Sequence, residues 1–158
     1  MPEYTIYLGS DHRGFEDRKE LKPLLEGCHQ FLRIEDLGPE QLDPDDDFND
    51  IAITVASAVL ENEHSFGILI CGSAHGVCMQ ANRIKGIRAI NASTPESAAI
   101  GREDDYANVL CLSGDRFSAE EMEKIVKAFC HARPKTDERY RRRVEKLDED
   151  ATWPGSKD

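Results

Sequence analysis

The sequence contains no apolar run that approaches the ~18 residues needed to cross a bilayer. Its first residues also lack the basic stretch and apolar segment of a secretory signal. Cationic residues are few, with 20 Lys and Arg against 31 Asp and Glu and a formal net charge of −11. This excess of negative charge disfavours a general binder of nucleic acid or of anionic membranes. We therefore expect a cytoplasmic protein with no nucleic-acid or membrane partner.

Cysteine is scarce, and its spacing does not suggest cross-links. The five cysteines are odd in number and form no Cys-x-x-Cys motif, which disfavours a disulfide framework and favours a reducing compartment. Cys71, His75 and Cys78 lie close in the sequence, but no fourth zinc ligand follows at the usual spacing. Residues 43–47 include four aspartates but lack the glycine and glutamate of an EF-hand loop. We therefore expect no metal site and interpret residues 37–49 as a solvated acidic loop.

The rest of the chain alternates short apolar runs with segments of helical periodicity. Its 158 residues suit one domain with a sizeable core, and no repeat, linker or low-complexity segment divides residues 1–158. This alternation predicts an α/β fold with a doubly wound, five-stranded parallel sheet. The predicted strands cover residues 5–9, 31–36, 68–70, 87–90 and 108–112.

Helical spacing and capping residues mark the segments between the strands. Residues 50–62 have an apolar face at helical spacing. Thr94, which precedes a proline, is typical of a helix start, as is Ser118, which opens a capping box with Glu121. Pro23 lies inside the first helical pattern and weakens the prediction that this helix is continuous.

The most informative stretch is residues 66–79, FGILICGSAHGVCM. Its apolar part does not alternate, which is typical of a strand buried on both faces, and it ends at Cys71. Gly72 and Gly76 then predict a turn that opens a helix near Val77, and ligands of parallel sheets lie where strands end beside such helix starts. Cys71 is therefore a candidate catalytic thiol facing backbone N–H groups that can bind an anion. A cysteine that only packs in the core is the alternative, while the spacing fits neither nucleotide-binding glycine motif.

The C-terminal segment predicts a helix over about 137–150, followed by a tail at 151–158. Asp137 is placed to cap this helix. Because the apolar seam of the helix is narrow, we expect the helix to reach a partner subunit and the protein to form a dimer. The seam consists of Tyr140, Val144 and Leu147.

The same segment carries the only dense cationic cluster of an acidic chain. Arg139 and Arg143 are four residues apart and therefore share one helix face. Paired guanidinium groups suit phosphate, so the pair is a candidate phosphate site. A charged face that is merely solvated is the alternative.

Five motifs stand in an order that resembles the type B ribose-5-phosphate isomerase family, whose relatives include the galactose-6-phosphate isomerase subunits. The similarity runs from about residue 4 to residue 147. The resemblance implies a Rossmann-like three-layer α/β/α fold, a homodimer or tetramer, and aldose–ketose isomerisation of a sugar phosphate without metal or cofactor. The substrate type it implies is ribose 5-phosphate and ribulose 5-phosphate. The motifs are residues 9–15, 68–76, 81–89, 108–110 and 139–144.

The resemblance also implies a role for individual residues. Cys71 matches the base that moves a proton between C1 and C2, and the 72–76 turn matches the amide cradle for the enediolate. Asp11 and His12 match residues that contact the sugar hydroxyls and ring oxygen. The phosphate ligands by resemblance are Arg139, Arg143 and, in some members, Arg116.

Several positions depart from the family pattern. Asp104 and Asp105 stand where the family commonly has a His-Asn pair, whose histidine opens the sugar ring. Phe48 replaces a frequent tyrosine, Tyr140 replaces a histidine, and His75 occupies a position that is usually small or apolar. We predict that His75 or Asp104 takes over proton shuttling, or that the substrate is a short or open-chain sugar phosphate.

Two alternatives follow from these departures. The chain could isomerise a different sugar phosphate, of four or six carbons, or it could be a non-catalytic sugar-phosphate-binding subunit of a hetero-oligomer. The candidate catalytic residues are Cys71, Ser73, His75 and Asp104. The candidate substrate-binding residues are Asp11, His12, Gly72, Ala74, Gly76, Asp105, Arg116, Arg139, Tyr140 and Arg143.

Overall fold

The computed structural model describes residues 4–28 and 32–149. In these ranges five strands form one parallel sheet with the order β2-β1-β3-β5-β4. The doubly wound, five-stranded parallel sheet predicted from the sequence is thereby confirmed. The predicted tail at 151–158 and the predicted start of the second strand at residue 31 lie outside the described residues. The strands are β1 (Tyr4–Ser10), β2 (Leu32–Asp36), β3 (Ser65–Cys71), β4 (Ala89–Asn91) and β5 (Val109–Ser113).

Within the described residues, five α-helices cover the two faces of the sheet and give the three-layer α/β/α arrangement, and a sixth packs against the fourth. A short 3-10 helix, His12–Gly14, follows β1 and precedes the first α-helix. In the described ranges no helix is both long enough and apolar enough to cross a membrane. The helices are α1 (Phe15–Cys28), α2 (Phe48–Glu61), α3 (His75–Asn82), α4 (Pro95–Asp105), α5 (Ala119–His131) and α6 (Glu138–Asp148).

The central strand β3 is buried along its whole length. Its side chains alternate between two apolar layers, because successive residues of a strand point to opposite faces. Ile68 and Ile70 pack with α1, α4 and α5, whereas Leu69 and Cys71 pack with α2 and α3. This double burial explains the uninterrupted apolar run in the sequence.

Helix ends follow the predicted capping pattern at two of three positions. Thr94 Oγ1 accepts a hydrogen bond from the Ser97 N–H at 3.1 Å, and Ser118 Oγ accepts one from the Glu121 N–H at 3.2 Å. Asp137 stands at the N-cap of α6 as predicted, but its side chain makes no cap hydrogen bond. These two hydroxyl caps satisfy N–H groups that a helix leaves without an internal partner.

Several boundaries differ from the prediction. α1 continues through Pro23 to its end at Cys28. α2 begins at Phe48, inside the range predicted as loop. β4 begins at Ala89 rather than at residue 87, because the Ile87 N–H donates to Ile84 O in a turn and the Arg88 N–H donates to the side chain of Asn108. These donors are therefore not available to a longer strand.

Candidate active site

The end of β3 and the turn after it are fixed by backbone hydrogen bonds. Cys71 lies beside Ser113 at the carboxyl end of β5 and is 4% exposed. Cys71 O accepts from the Gly114 N–H at 2.8 Å, and Gly72 O accepts from the Asp115 N–H at 3.1 Å and from Ser113 Oγ at 2.5 Å. The loop after β5 thus holds the cysteine and the start of the turn in one place.

The turn itself depends on small residues. A Cβ at Gly72 would overlap the guanidinium of Arg13, which packs there and forms an ion pair with Asp115. A Cβ at Gly76 would lie 2.9 Å from the ring of Phe48. The ring of Phe48 therefore favours glycine at position 76, whereas the flexible end of the Arg13 side chain can move aside from a larger residue at position 72.

Helix α3 starts where the turn ends, and its first N–H groups lie beside Cys71 in the chain. Ala74 is the N-cap residue with φ 70° and ψ −8°, which is the left-handed region. The His75 N–H donates to Ser73 Oγ at 3.2 Å, and the first helical bond at this end runs from the Cys78 N–H to Ala74 O. The N–H groups of residues 76 and 77 precede that bond, so they belong to the donors with which a helix start binds an anion.

The end of β1 places Asp11 and His12 next to the end of β3. The Asp11 N–H donates to Ile70 O at 3.2 Å, and its buried Oδ1 accepts from the N–H groups of Arg13 at 2.9 Å and Gly14 at 3.2 Å. The carboxylate therefore closes the 3-10 turn. Because β1 and β3 are neighbours in the sheet, the two candidate sugar-binding residues lie at the same edge as Cys71.

Asp46 holds the imidazole of His12 and was missed by sequence reasoning. Asp46 Oδ1 lies 2.7 Å from His12 Nδ1 and also accepts the His12 backbone N–H at 3.0 Å. The hydrogen bond from the imidazole to this carboxylate raises the pKa of His12. The prediction of a merely solvated loop is therefore wrong at Asp46, because one of the crowded aspartates turns inward to the histidine.

Asp11, His12 and Asp46 also form the group of potential metal ligands found within residues 4–28 and 32–149. Their ligand atoms lie within 4.8 Å of one another. Hydrogen bonds within the protein already engage an oxygen of each carboxylate and one nitrogen of the imidazole. The arrangement thus orients the imidazole through a carboxylate.

A cavity of about 380 Å³ lies beside the 72–76 turn. Four candidate residues, Gly72, Ser73, His75 and Arg116, meet there. His75 Nδ1 lies 3.1 Å from the side-chain nitrogen of Asn91, which ends β4. Most of the lining can form hydrogen bonds, as suits a polar ligand. The lining consists of Gly72, Ser73, His75, Asn91, Ser93, Ser113, Asp115, Arg116 and Phe117.

The remaining candidates lie at the opposite edge of the sheet. α4 begins just after the carboxyl end of β4 and runs back, so Asp104 and Asp105 lie near the start of β5. An α-helix of this length spans about 16 Å. Within one chain, the structure therefore separates Asp104 and Asp105 from the Cys71 turn. α6, which carries Arg139, Tyr140 and Arg143, packs against α4 and is likewise not brought to the turn.

A cationic cluster surrounds Tyr140 at this second edge. Arg139 Cζ and Arg143 Cζ lie 5.0 and 5.9 Å from the centroid of the Tyr140 ring, and Lys135 Nζ lies 5.0 Å from it. Lys135 Nζ also contacts Asp104 Oδ1 at 2.6 Å. No sequence signal marks Lys135, because it precedes α6 and lies outside the arginine-rich segment 139–143.

Comparisons with known proteins agree with this geometry. A family model described as Ribose/Galactose Isomerase matches residues 6–147. A Mycoplasma pneumoniae protein named "Probable ribose-5-phosphate isomerase B" is 46% identical over 129 residues, which are 82% of this chain and 84% of that protein. A D-erythrulose-4-phosphate isomerase 2 of Mycolicibacterium smegmatis is 32% identical over 121 residues, which are 77% of this chain and 79% of that protein.

A solved structure extends the likeness to three dimensions. The crystal structure of ribose-5-phosphate isomerase B from Mycoplasma genitalium with bound ribulose 5-phosphate has a TM-score of 0.86 and 38% sequence identity. The match covers 94% of this chain and 96% of that one. These matches confirm the resemblance inferred from the sequence motifs, and the chain belongs to the ribose/galactose isomerase family.

Proposed function

We propose that the chain is an aldose–ketose isomerase that interconverts sugar phosphates of the ribose 5-phosphate and ribulose 5-phosphate type. The observation that carries this proposal is the position of Cys71, at the carboxyl end of the central strand and directly before a turn of backbone donors. The relatives named as ribose-5-phosphate isomerases support the same substrate class. The reaction needs neither metal nor cofactor, because a base and an oxyanion site suffice for proton transfer next to a carbonyl.

Cys71 acts as the base in this proposal. Its thiolate removes a proton from the carbon next to the carbonyl and returns it to the former carbonyl carbon, while the hydroxyl proton moves from the oxygen of the first carbon to the former carbonyl oxygen. The N–H groups of the 72–76 turn stabilise the negative charge that develops on the enediolate oxygen, and Ser73 lies within this turn. Because Cys71 packs on the face of α2 and α3, we infer that substrate reaches it beside Phe48, whose ring covers Gly76.

His12 and Asp11 bind the sugar hydroxyls and ring oxygen at the same edge. Asp46 accepts a hydrogen bond from one nitrogen of the His12 ring, so the second nitrogen stays free for the substrate. Asp11 is held by two backbone donors, which fixes the 3-10 turn that presents His12. Both contacts orient the sugar relative to Cys71.

The two separated groups of residues come together in a homodimer or tetramer. A two-fold axis brings the same two surfaces together twice. It can therefore set Asp104, Asp105 and the cations of α6 in one subunit against the Cys71 turn of the other. α6 supports this arrangement because Val144 is 7% exposed whereas Leu147 of the same apolar seam is 61% exposed. The thiols of Cys71, Cys78, Cys111 and Cys130 are free, which supports a cytoplasmic location.

His75 replaces the ring-opening histidine better than Asp104 does. Asp104 is bound to the ammonium of Lys135, and an ionised carboxylate in such a pair has no proton to give. His75 lines the cavity beside the turn and is oriented by Asn91. Its replacement by alanine is expected to slow turnover of a ring-forming pentose phosphate more than that of an open-chain tetrose phosphate.

A second candidate function is isomerisation of a four-carbon ketose phosphate. The observation that favours it is the Asp104–Lys135 ion pair, because a substrate that forms no ring needs no proton donor there. The relative named D-erythrulose-4-phosphate isomerase 2 supports this candidate. The family resemblance also keeps a six-carbon substrate open.

Solvent-deuterium exchange into four-, five- and six-carbon sugar phosphates tests the proposal. We expect the purified chain to exchange deuterium into the carbon next to the carbonyl. The sugar phosphate with the fastest exchange is the preferred substrate. Binding of a sugar phosphate without exchange would contradict the proposal and favour a non-catalytic subunit of a hetero-oligomer. A Cys71→Ala variant measured in parallel reports any exchange that does not depend on the thiol.

A further inference from the structure

Two arginines of α6, Arg139 and Arg143, differ from Arg142 and Arg88 in their partners. Arg142 pairs with Glu138, and Arg88 pairs with Asp148. Among residues 4–28 and 32–149, no carboxylate pairs with Arg139 or Arg143, whose contacts are to Tyr140. In a protein of net charge −11, two neighbouring guanidinium groups without a carboxylate indicate a site for an anion from outside the chain.

Lys135 belongs to the same cluster, although it precedes α6. Its ammonium lies as far from the centroid of Tyr140 as the guanidinium of Arg139 does, at 5.0 Å. Its backbone is fixed as well, because its N–H donates to Glu103 O at 2.9 Å and its carbonyl oxygen accepts the hydroxyl of Tyr106. The ring of Tyr140 is thus a common support for three cations.

We propose that Lys135 is a third ligand of the substrate phosphate, beside Arg139 and Arg143. This inference rests on the proposed function for the identity of the ligand as a sugar phosphate. An ammonium has three N–H donors, and Asp104 occupies one of them. A second donor is directed to the side chain of Tyr140. The third is left for a phosphate oxygen, which accepts a charge-assisted hydrogen bond at short distance.

The charge of the cluster matches that of a phosphate monoester. Three cations and the carboxylate of Asp104 leave a net charge of two, and a phosphate monoester carries about −1.5 to −2 at pH 7. The hydrogen bond to Asp104 raises the pKa of Lys135, so the ammonium stays protonated around neutral pH. Asp104 is in this way a positioning residue that holds Lys135 and adjusts the charge of the site.

An ordinary surface ion pair is the competing interpretation. In that case Lys135 only neutralises Asp104, and its loss weakens phosphate binding because the uncovered carboxylate repels the anion. The two interpretations differ in a double variant. Removing Lys135 and the charge of Asp104 together restores binding if the lysine only neutralises, and leaves binding weak if the lysine is a ligand.

Binding of inorganic phosphate, measured by calorimetry on the full-length protein, tests the proposal without any need for turnover. We expect Lys135→Met to raise the Kd about 10- to 100-fold, which is the range of a hydrogen bond to a charged group. We expect the double variant Lys135→Met/Asp104→Asn to stay at least about 10-fold weaker than wild type. Lys146→Met, on α6 but outside the cluster, is the control and is expected to change the Kd less than twofold.

Three results would overturn the proposal: wild-type protein that binds no phosphate, a Lys135→Met variant with wild-type Kd, or a double variant with wild-type Kd. Lys135→Arg keeps the cation and is expected to rescue binding, which separates a ligand from a residue needed only for folding. In the deuterium-exchange assay, Lys135→Met is expected to raise KM for the preferred sugar phosphate with kcat changed less than threefold. If the wild-type chain exchanges no deuterium but the phosphate results hold, the proposed function fails and the phosphate site stands.

Discussion

The two edges of the sheet, at the carboxyl ends and at the amino ends of its strands, are held by different interactions. At the carboxyl edge, Cys71 follows a strand that is buried along its length, and its carbonyl oxygen is held by a backbone N–H. At the opposite edge, Lys135 and Arg139 are exposed, and their positions depend on side-chain contacts to Tyr140. Proton transfer needs the reacting groups to be placed to within a fraction of an ångström. Attraction between charges acts over several ångströms. The rigid edge therefore suits the chemistry, and the exposed edge suits the capture of a charged group.

The largest effect is expected from removing the thiol at the rigid edge. Cys71→Ala is expected to lower kcat at least about 10³-fold, since the proposed base is lost, while the Kd for phosphate stays within twofold. Cys130→Ala is the matched control, because burial raises the pKa of that thiol to about 12 and it lies far from the turn on α5. Steady-state kinetics and calorimetry measure both quantities. A Cys71→Ala variant with a normal kcat would show that the rigid edge does not hold the base.

Mixing two inactive variants tests whether the edges belong to different subunits. Cys71→Ala and Arg139→Gln/Arg143→Gln are each expected to be nearly inactive at low substrate concentration. If each site combines both edges across a two-fold axis, each mixed dimer contains one intact site out of two. Half of the randomly formed dimers are mixed, so the mixture is expected to reach about a quarter of wild-type activity. The mixture is assayed after dissociation and reassembly. Activity that stays at the level of the separate variants would indicate that both edges serve a site within one chain.

A smaller effect is expected at His12, where a side-chain contact supports the rigid edge. The pKa of His12 is raised in the folded state by Asp46. A raised pKa stabilises the fold below the unfolded-state pKa, about 6.5, and this contribution disappears as the pH rises through the folded-state pKa. Asp46→Asn is therefore expected to lower Tm more at pH 5.5 than at pH 8.5.

Asp45→Asn, in the same loop, is the control for this experiment, because Asp45 is exposed and does not contact His12. Thermal unfolding of both variants across pH gives the comparison. Equal loss of Tm at the two pH values for Asp46→Asn would mean that Asp46 does not stabilise the protonated imidazole.

The same difference between the edges explains what the sequence could predict. The strand that ends at Cys71 and the turn after it have a strong signal, since both depend on burial and on glycine. Asp46 could not be singled out among four neighbouring aspartates, because its role depends on a contact with His12 across 34 positions. Lys135 was missed for the same reason, since its partner Asp104 is 31 positions away. Contacts between distant side chains leave no local pattern.

The smallest effect concerns the backbone of the turn. Ala74 adopts φ 70°, where an L-residue with a Cβ is disfavoured by about 1–2 kcal/mol. Ala74→Gly relieves this strain at a smaller entropic cost and is expected to raise the free energy of unfolding by roughly 0.5–1 kcal/mol. Ala81→Gly, in the same helix with a buried side chain, is expected to lower it by about 1 kcal/mol or more. Urea unfolding measures both changes. A destabilised Ala74→Gly variant would mean that packing of the methyl group adds more to the free energy of unfolding than the left-handed backbone subtracts. The carboxyl edge would then be held by side chains as well as by its backbone.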